Sequence, residues 1–358
     1  MLERYGWSDT LRQQFASFAA QGLTAGRVTI QQRGHYVVAT EQGEVTATLA
    51  GKFAHDAADG EYPVAGDWVA LAARPGETAA LIRGVLPRRS QFVRKAAGPG
   101  APRGQVVAAN VDLALLTASL NSDLSVRRIE RYLASAWESG AEPVIVLTKA
   151  DLCDDVAAMR ADVEAVAFGV PVHAISAVTG EGLDSVHALL APGKTAVVLG
   201  SSGVGKSTLV NALAGKQLMV VNEIRAGDET GKHTTTHREL IVLPNGALIL
   251  DTPGMRELGL WDADAGVSTA FSEIEALAQG CRFHDCRHRT EPDCAILAAL
   301  EDGTLSQERW ASYGKLQKEL RFERNKTDAV SRAADRKVWI KRHKEGRARM
   351  KAKYGGDD

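Results

Sequence analysis

Apolar positions in the first 24 residues recur at helical spacing. Leu2, Trp7, Leu11, Phe15 and Phe18 fall roughly on one face and predict a short amphipathic helix. From residue 27 to about 95 the pattern shortens to β-type runs broken by glycine and proline: RVTIQ, HYVVAT, EVTATLAG, GDWVALAA and AALIRGVL. Five such strands in succession predict a small barrel, and AAGPGAPRG at 96–104 reads as a linker or loop. From 110 to about 260 the strand-like runs VDLALLTAS, EPVIVLTKAD, VPVHAISA, KTAVVLG, RELIVLP and ALILDTPG alternate with helical stretches. That alternation predicts a mostly parallel sheet wrapped by helices. Residues 268–358 have helical texture on both sides of a Cys/His cluster and end in a basic arm. The expected organisation is therefore helix plus barrel over 1–100, an α/β domain over 101–262 and a helical, Cys/His-bearing domain over 263–358.

Composition fits this plan. Of 358 residues 45% are apolar and 24% charged, the balance of a soluble globular chain with room for two or three domains. No apolar run approaches the roughly 18 residues of a membrane span, and the N-terminus carries charge where a signal peptide is apolar, so a cytoplasmic protein with no membrane partner is expected. The net charge of −1 conceals an asymmetry: residues 332–353 hold ten Lys/Arg against Asp335 and Glu345. Such an arm, with Trp339 interleaved, suits contact with nucleic-acid phosphates. Within the barrel region PRRSQFVRK offers Arg88, Arg89, Phe92, Arg94 and Lys95 for the same purpose.

The strongest chemical signal is GSSGVGKST, residues 200–208. Between a strand and a helix, Gly200, Ser201, Ser202, Gly203, Val204 and Gly205 form a loop whose backbone N–H groups surround phosphate oxygens. Lys206, also a candidate catalytic residue, reaches the β and γ phosphates, Ser207 ligates Mg²⁺, and Thr208 completes the set of nucleotide-binding residues. Downstream, ALILDTPG supplies Asp251 to hold the metal ion and Gly254 to donate a backbone N–H to the γ-phosphate. The polar stretch 226–240 between them is rich in threonine, and a hydroxyl there, Thr235 or Thr236, would complete the Mg²⁺ shell; Thr235 is preferred.

Upstream, TKAD follows the apolar run VIVL, so Thr148, Lys149 and Asp151 stand at a strand's C-terminal end, where α/β sheets bind ligands. A carboxylate at 151 accepts from both N1–H and the 2-amino group of guanine; adenine has neither donor. The plainer alternative is that Asp151 caps the next helix. A further strand ends at Ser176 and Ala177, whose backbone would contact the base oxygen. The order along the chain is thus base, base, phosphate, switch and magnesium, the order of a circularly permuted GTPase.

With these motifs, GDWV at 66–69, AANVD at 108–112, GKHTTTHREL at 231–240 and CRFHDCRHRTEPDC at 281–294, the chain resembles the RsgA (YjeQ) family of ribosome small-subunit-dependent GTPases over nearly its whole length. The resemblance implies an N-terminal OB-fold, a permuted P-loop GTPase domain and a C-terminal zinc-binding domain. It also implies action on the small ribosomal subunit and its rRNA during late maturation. GTP would be hydrolysed to GDP by what is expected to be a monomer. Thr148 stands where GTPases at large carry asparagine, and its hydroxyl is suited to keep the bridging hydrogen bond made there. Met255 follows D-x-x-G where a Ras-like enzyme has a water-orienting glutamine. A thioether cannot orient water. His233 and His237 are the candidate substitutes, and the resemblance favours His233.

Three of four cysteines, Cys281, Cys286 and Cys294, lie within fourteen residues, which in a reducing compartment points to metal; Cys153 stands apart. With one histidine they make the ligand set of a closed structural zinc site. Spacing leaves His284 and His288 open as the fourth ligand, and the resemblance implies His288. It also leads to an expectation of glycine where this chain has Asp293, a residue that tolerates a left-handed backbone.

Overall fold

The short apolar runs near the N-terminus are strands β1 (Thr24–Gln32), β2 (His35–Thr40), β3 (Gly43–Leu49), β4 (Trp68–Ala73) and β5 (Ala79–Val85). The computed structural model describes residues 1–32, 34–57, 60–73, 78–95, 104–219, 238–251 and 263–324, with only the backbone of Lys95 and Asp251. β1 pairs antiparallel with β2 and β2 with β3; β3 runs parallel to β5, β5 antiparallel to β4, and β4 returns to β1. The circuit closes a five-stranded barrel. Alternate residues Val28, Val38, Val69, Leu71 and Ile82 are fully buried in it. A short helix, α2 (Gly51–Asp56), follows β3. With its single parallel pair and the helix between the third and fourth strands, the barrel is an OB-fold.

The N-terminal apolar face is built from two pieces rather than one helix. A 3₁₀ turn at Leu2–Tyr5 stops at Gly6, whose φ is 86°, and Ser8 then caps α1 (Asp9–Ala19) by accepting from Leu11 N at 3.3 Å. Gly6 rests against Gly193, just ahead of the strand that leads to the phosphate loop, so the chain must turn there. Trp7 packs on Trp68 at 4.9 Å and on Phe15 at 6.0 Å.

After the barrel, β6 (Gln91–Lys95) and β7 (Gly104–Ala109) form a separate antiparallel ribbon. A sheet follows, made of β8 (Leu113–Ser119), β9 (Glu142–Thr148), β10 (Val172–Ala174), β11 (Thr195–Leu199), β12 (Arg238–Val242) and β13 (Leu248–Asp251). Its spatial order is β10-β9-β8-β11-β13-β12, parallel except for the antiparallel β12. After three strands running outward the chain returns to put β11 in the centre. This is the mark of the permutation. Alternate residues of β8 supply both faces, Ala114 and Leu116 to one core and Leu113 and Leu115 to the other. A strand buried on both sides is apolar nearly throughout, and LALLTAS is. Helices α3 (Val126–Ser139), α4 (Val156–Glu164), α5 (Leu183–Leu189) and α6 (Lys206–Ala214) cover it.

The barrel and this sheet are continuous, because β1 also pairs with β12. Below the junction Arg27 is buried, and every donor nitrogen finds oxygen. Nε donates to Gly66 O at 3.2 Å, Nη2 to Asn110 O at 3.1 Å and to Thr195 Oγ1 at 2.8 Å, and Nη1 to Tyr5 O. Its guanidinium lies 5.3 Å from the Trp68 ring centre. Burial lowers its pKa to about 10, so it stays charged at neutral pH. Gly66, with φ 93°, lies so close to the Ala109 carbonyl that any β-carbon would collide with it. The glycine of GDWV is thus required by the contact between barrel and ribbon.

The C-terminal part consists of α7 (Asp264–Ala270), α8 (Ser272–Ala278), a loop bearing the cysteines, α9 (Ala295–Glu301) and a helix, α10, over 307–324. It docks on α3 through a buried charge cluster. Arg309 donates to Glu130 at 2.6 Å, to Glu273 at 2.7 Å and to the Ala270 carbonyl at 2.6 Å, while stacking 3.9 Å over Phe271. Ser312 donates to the other Glu130 oxygen.

Candidate nucleotide and metal sites

The phosphate loop leaves β11 at Gly200, whose φ of 152° and contact with the Thr117 carbonyl exclude a side chain. It ends at Gly205, φ 90°, the N-cap of α6, so the free N–H groups of the first helical turn face the loop. Lys206 Nζ donates to Gly200 O at 2.8 Å and to Ser201 O, which holds the ammonium over the loop. Ser201, Lys206, Ser207 and Thr208 are half-buried, Val204 is buried, and Ser202 and Gly203 are exposed at the tip.

The base-reading candidates converge on the same edge. β9 lies two strands from β11, and Thr148 at its end donates a 2.6 Å hydrogen bond to Val204 O in the phosphate loop. The hydroxyl therefore makes the bridge for which it is suited in place of asparagine. Lys149 adopts a left-handed backbone, φ 62°, and starts a 3₁₀ turn that presents Asp151 to solvent. The helix cap is a different residue: Asp155 accepts from Ala158 N at 2.9 Å at the start of α4. β10 ends at Ala174, sooner than the sequence pattern suggests, and Ser176 and Ala177 lie in the following turn. Ser176 is buried, its hydroxyl accepting from Val178 N and Thr179 N. Ala150 N donates to Ile175 O at 3.0 Å, tying the two base loops together. A Thr148→Val variant should lose about fivefold in GDP affinity, one net hydrogen bond, while Thr148→Ser stays near the parent. A fluorescent-GDP titration reads the difference.

Asp251 ends β13, next to β11, with its backbone paired to Glu239. His233, Thr235, Thr236, His237, Gly254, Met255 and the arm 332–353 lie outside the described residues.

Of the proposed RNA-contact residues two are committed elsewhere. Arg88 grips the fully buried Asp67 through two bonds of 2.8 Å and also reaches the carbonyls of Gly60 and Tyr62, and Phe92 is buried in the core. A carboxylate without water requires such a partner; burial raises the Asp67 pKa and Arg88 opposes the rise. Arg89 is half exposed and pairs with Asp112 at 3.0 Å, and Arg94 is held by Gln105. Arg83 and Arg89 line a cleft of about 1190 Å³ between barrel, ribbon and α3, with Phe18, Phe53 and Trp137 on its walls.

In the C-terminal loop the ligand atoms of Cys281, Cys286, His288 and Cys294 lie within 4.8 Å of one another. Cys281 Sγ is 3.8 Å from Cys294 Sγ, and His288 Nδ1 is 3.5 and 3.4 Å from those two sulfurs. Around tetrahedral zinc, sulfurs at about 2.3 Å and nitrogen at about 2.0 Å stand about 3.8 Å (S to S) and about 3.5 Å (S to N) apart. The donor set fits. His288, not His284, is the histidine in the cluster, turned inward by a left-handed backbone with φ 55° and packed edge-on against Trp310. Asp293 also takes positive φ, 56°, and pairs with Arg282.

Glu291 was not singled out by the sequence pattern. Its carboxylate accepts from the backbone N–H groups of Arg289, Thr290 and Arg287 at 2.8 to 3.0 Å, which hold its pKa down at about 2. It therefore shapes the loop carrying His288. Glu291→Ala should speed metal release to a colorimetric chelator by about tenfold, as expected when support of a ligand is lost.

A family model described as RsgA GTPase matches residues 85–261. The chain is 48% identical over 354 residues to the small ribosomal subunit biogenesis GTPase RsgA of Streptomyces avermitilis, covering 98% of this chain and 94% of the relative. It is 45% identical to the protein of that name from Opitutus terrae, covering 97% of each. Among solved structures it is similar to YjeQ from Thermotoga maritima, at TM-score 0.64 and 28% identity over 83% of this chain and 98% of that one. It is also similar to YloQ, a circularly permuted GTPase, at TM-score 0.61 and 25% identity over 84% of this chain and 95% of that one. With the permuted sheet, the phosphate loop and the Cys₃His cluster all in place, the chain belongs to the RsgA family and is a GTPase, a hydrolase acting on GTP.

Proposed function

We propose that the protein binds the small ribosomal subunit and hydrolyses GTP to GDP and phosphate during late subunit maturation, with turnover stimulated by the subunit. The reading rests on the Thr148–Val204 hydrogen bond, which joins the loop for the base to the loop for the phosphates across two strands. In this reading Lys206 and the backbone of 200–208 hold the phosphates, Asp151 selects guanine, and Ser176 and Ala177 meet the base oxygen. Mg²⁺, held by Ser207, Asp251 and Thr235, neutralises charge on the phosphates when bound. His233 orients the water, and Gly254 donates to the γ-phosphate. The Cys₃His cluster holds one structural Zn²⁺. The domain limits proposed with this reading are 1–100, 101–262 and 263–358.

For the partner, the cleft with Arg83 and Arg89, the barrel and the basic arm support contact with rRNA. The names of the relatives supply the ribosomal context. The test is turnover of GTP and of ATP by the purified protein alone, with small subunits and with large subunits. Strong stimulation of GTP hydrolysis by small subunits alone is expected. Equal slow rates in all mixtures would overturn the partner assignment.

A further inference from the structure

Strand β1 has two partners on one edge. Thr24 to Arg27 pair with β4 and close the barrel, whereas Ile30 and Gln31 pair with Glu239 and Arg238 of β12. The switch between them coincides with an irregularity at Val28–Ile30 in the pairing with β2. β12 in turn pairs with β13, and there Glu239 stands opposite Asp251. Ile30, Glu239 and Asp251 thus occupy one line across three adjacent strands, the last being the magnesium-binding carboxylate of the proposed site. A one-residue slip of β12 would reverse the faces of its side chains and move this line.

A side-chain contact reinforces the register. Arg238 Nη1 donates to Gln31 Oε1 at 2.8 Å, and Gln31 Nε2 donates to Pro63 O at 3.2 Å in the barrel. Arg238 is half-buried, and burial together with the Arg94 guanidinium of the ribbon lowers its pKa. The amide oxygen of Gln31 is the neutral acceptor that holds the Arg238 guanidinium at this junction. Upstream of the polar stretch Asn211 of α6 bonds the backbone of Leu218 and Met219 at 2.7 to 2.9 Å, a contact wholly inside the GTPase domain. Among the described residues of this region, those of β12 are fastened by the barrel.

We propose that Gln31 and Arg238 are positioning residues for GTP hydrolysis: with the Ile30–Glu239 pairing they fix the register of β12 and so the place of Asp251, which makes magnesium use depend on the barrel. The inference rests on the reading of Asp251 given above.

The experiment measures steady-state turnover of the full-length protein against Mg²⁺ and against GTP, for Gln31→Ala, Arg238→Ala, the double variant, and the exchange Gln31→Glu with Arg238→Lys. Each single variant should raise the Mg²⁺ concentration for half-maximal turnover by about three- to tenfold, with KM for GTP at saturating Mg²⁺ and fluorescent-GDP affinity unchanged. The double variant should be no worse than the worse single, and the exchanged pair should recover most of the loss. Thermal unfolding of each variant separates register from folding, since a loss that follows the folded fraction overturns the proposal. So does an unchanged Mg²⁺ dependence in Arg238→Ala. Asp251→Asn discriminates the two levels. If it keeps Mg²⁺-dependent turnover, the reading of the site fails and the inference with it. If it is inactive while Arg238→Ala behaves as the parent, only the positioning role fails.

Discussion

Replacing Asp151 with asparagine will weaken GTP binding by about two to three orders of magnitude, because of the two charge-assisted hydrogen bonds proposed to guanine one becomes a clash of donors and the other loses its charge. The geometry explains why the effect is concentrated there. Asp151 is exposed on a 3₁₀ turn, and the cap of α4 belongs to Asp155, so the substitution removes no helix support. The new amide would turn an N–H toward the 2-amino group, where two donors repel. A base with a carbonyl at that position has the complementary pattern. Xanthosine triphosphate should therefore bind the variant better than the parent, while GTP does the reverse. Competition against a fluorescent guanine nucleotide measures both. Parent-like GTP affinity in the variant would remove Asp151 from the base site.

The second large effect concerns stability. Arg309→Met should cost about 3–5 kcal/mol, since it leaves the Glu130 carboxylate buried without its cation. Glu130 is 2% exposed and Arg309 7%, and water cannot replace the lost partner without opening the interface. The consequence should be an earlier unfolding transition of the C-terminal part in urea, at a midpoint below that of the parent. Replacing Glu130 by leucine in the same chain should return much of the loss, because an apolar pair does not pay for dehydrating charge. Trp310 stacks on Tyr313, which bonds Glu275, so its fluorescence reports on this interface. A single transition at the parent midpoint would show that the cluster contributes nothing to docking.

Much of this was legible in the sequence because the informative residues are neighbours in the chain. All five barrel strands follow their alternating runs. The phosphate loop is written in consecutive residues, and its glycines at 200, 203 and 205 all take the positive φ that such a loop requires. The break at Gly6 was not legible, because apolar spacing continues through it; the reason for the turn is Gly193, far along the chain. Arg27 reads as an ordinary polar position in RVTIQ, yet it is the bonded centre of the junction. Glu130 and Arg309 sit in helices whose patterns say only that one side is buried. Pairings such as β1 with β12 leave no local trace, since backbone hydrogen bonds do not depend on side-chain identity. The two aspartates show the limit in a small space: Asp151 and Asp155 have the same chemistry four residues apart, and only the backbone shows which of them caps α4.

The divided pairing of β1 has a bearing on synthesis. Gln31 leaves the ribosome long before Arg238, 207 positions later in the chain, and at about 5–20 residues per second this takes about 10–40 s. The barrel can close on itself during that interval through β4, but the outer half of β1 has to wait. An open strand edge is a place where nascent chains associate wrongly. Here that edge ends in Gln31 and Gln32, polar residues that make a poor nucleus for such association. Slowing elongation between the barrel and β12 would lengthen the wait without altering any contact in the finished protein, and with so poor a nucleus at the edge synonymous changes in that stretch should leave the soluble yield near that of the parent.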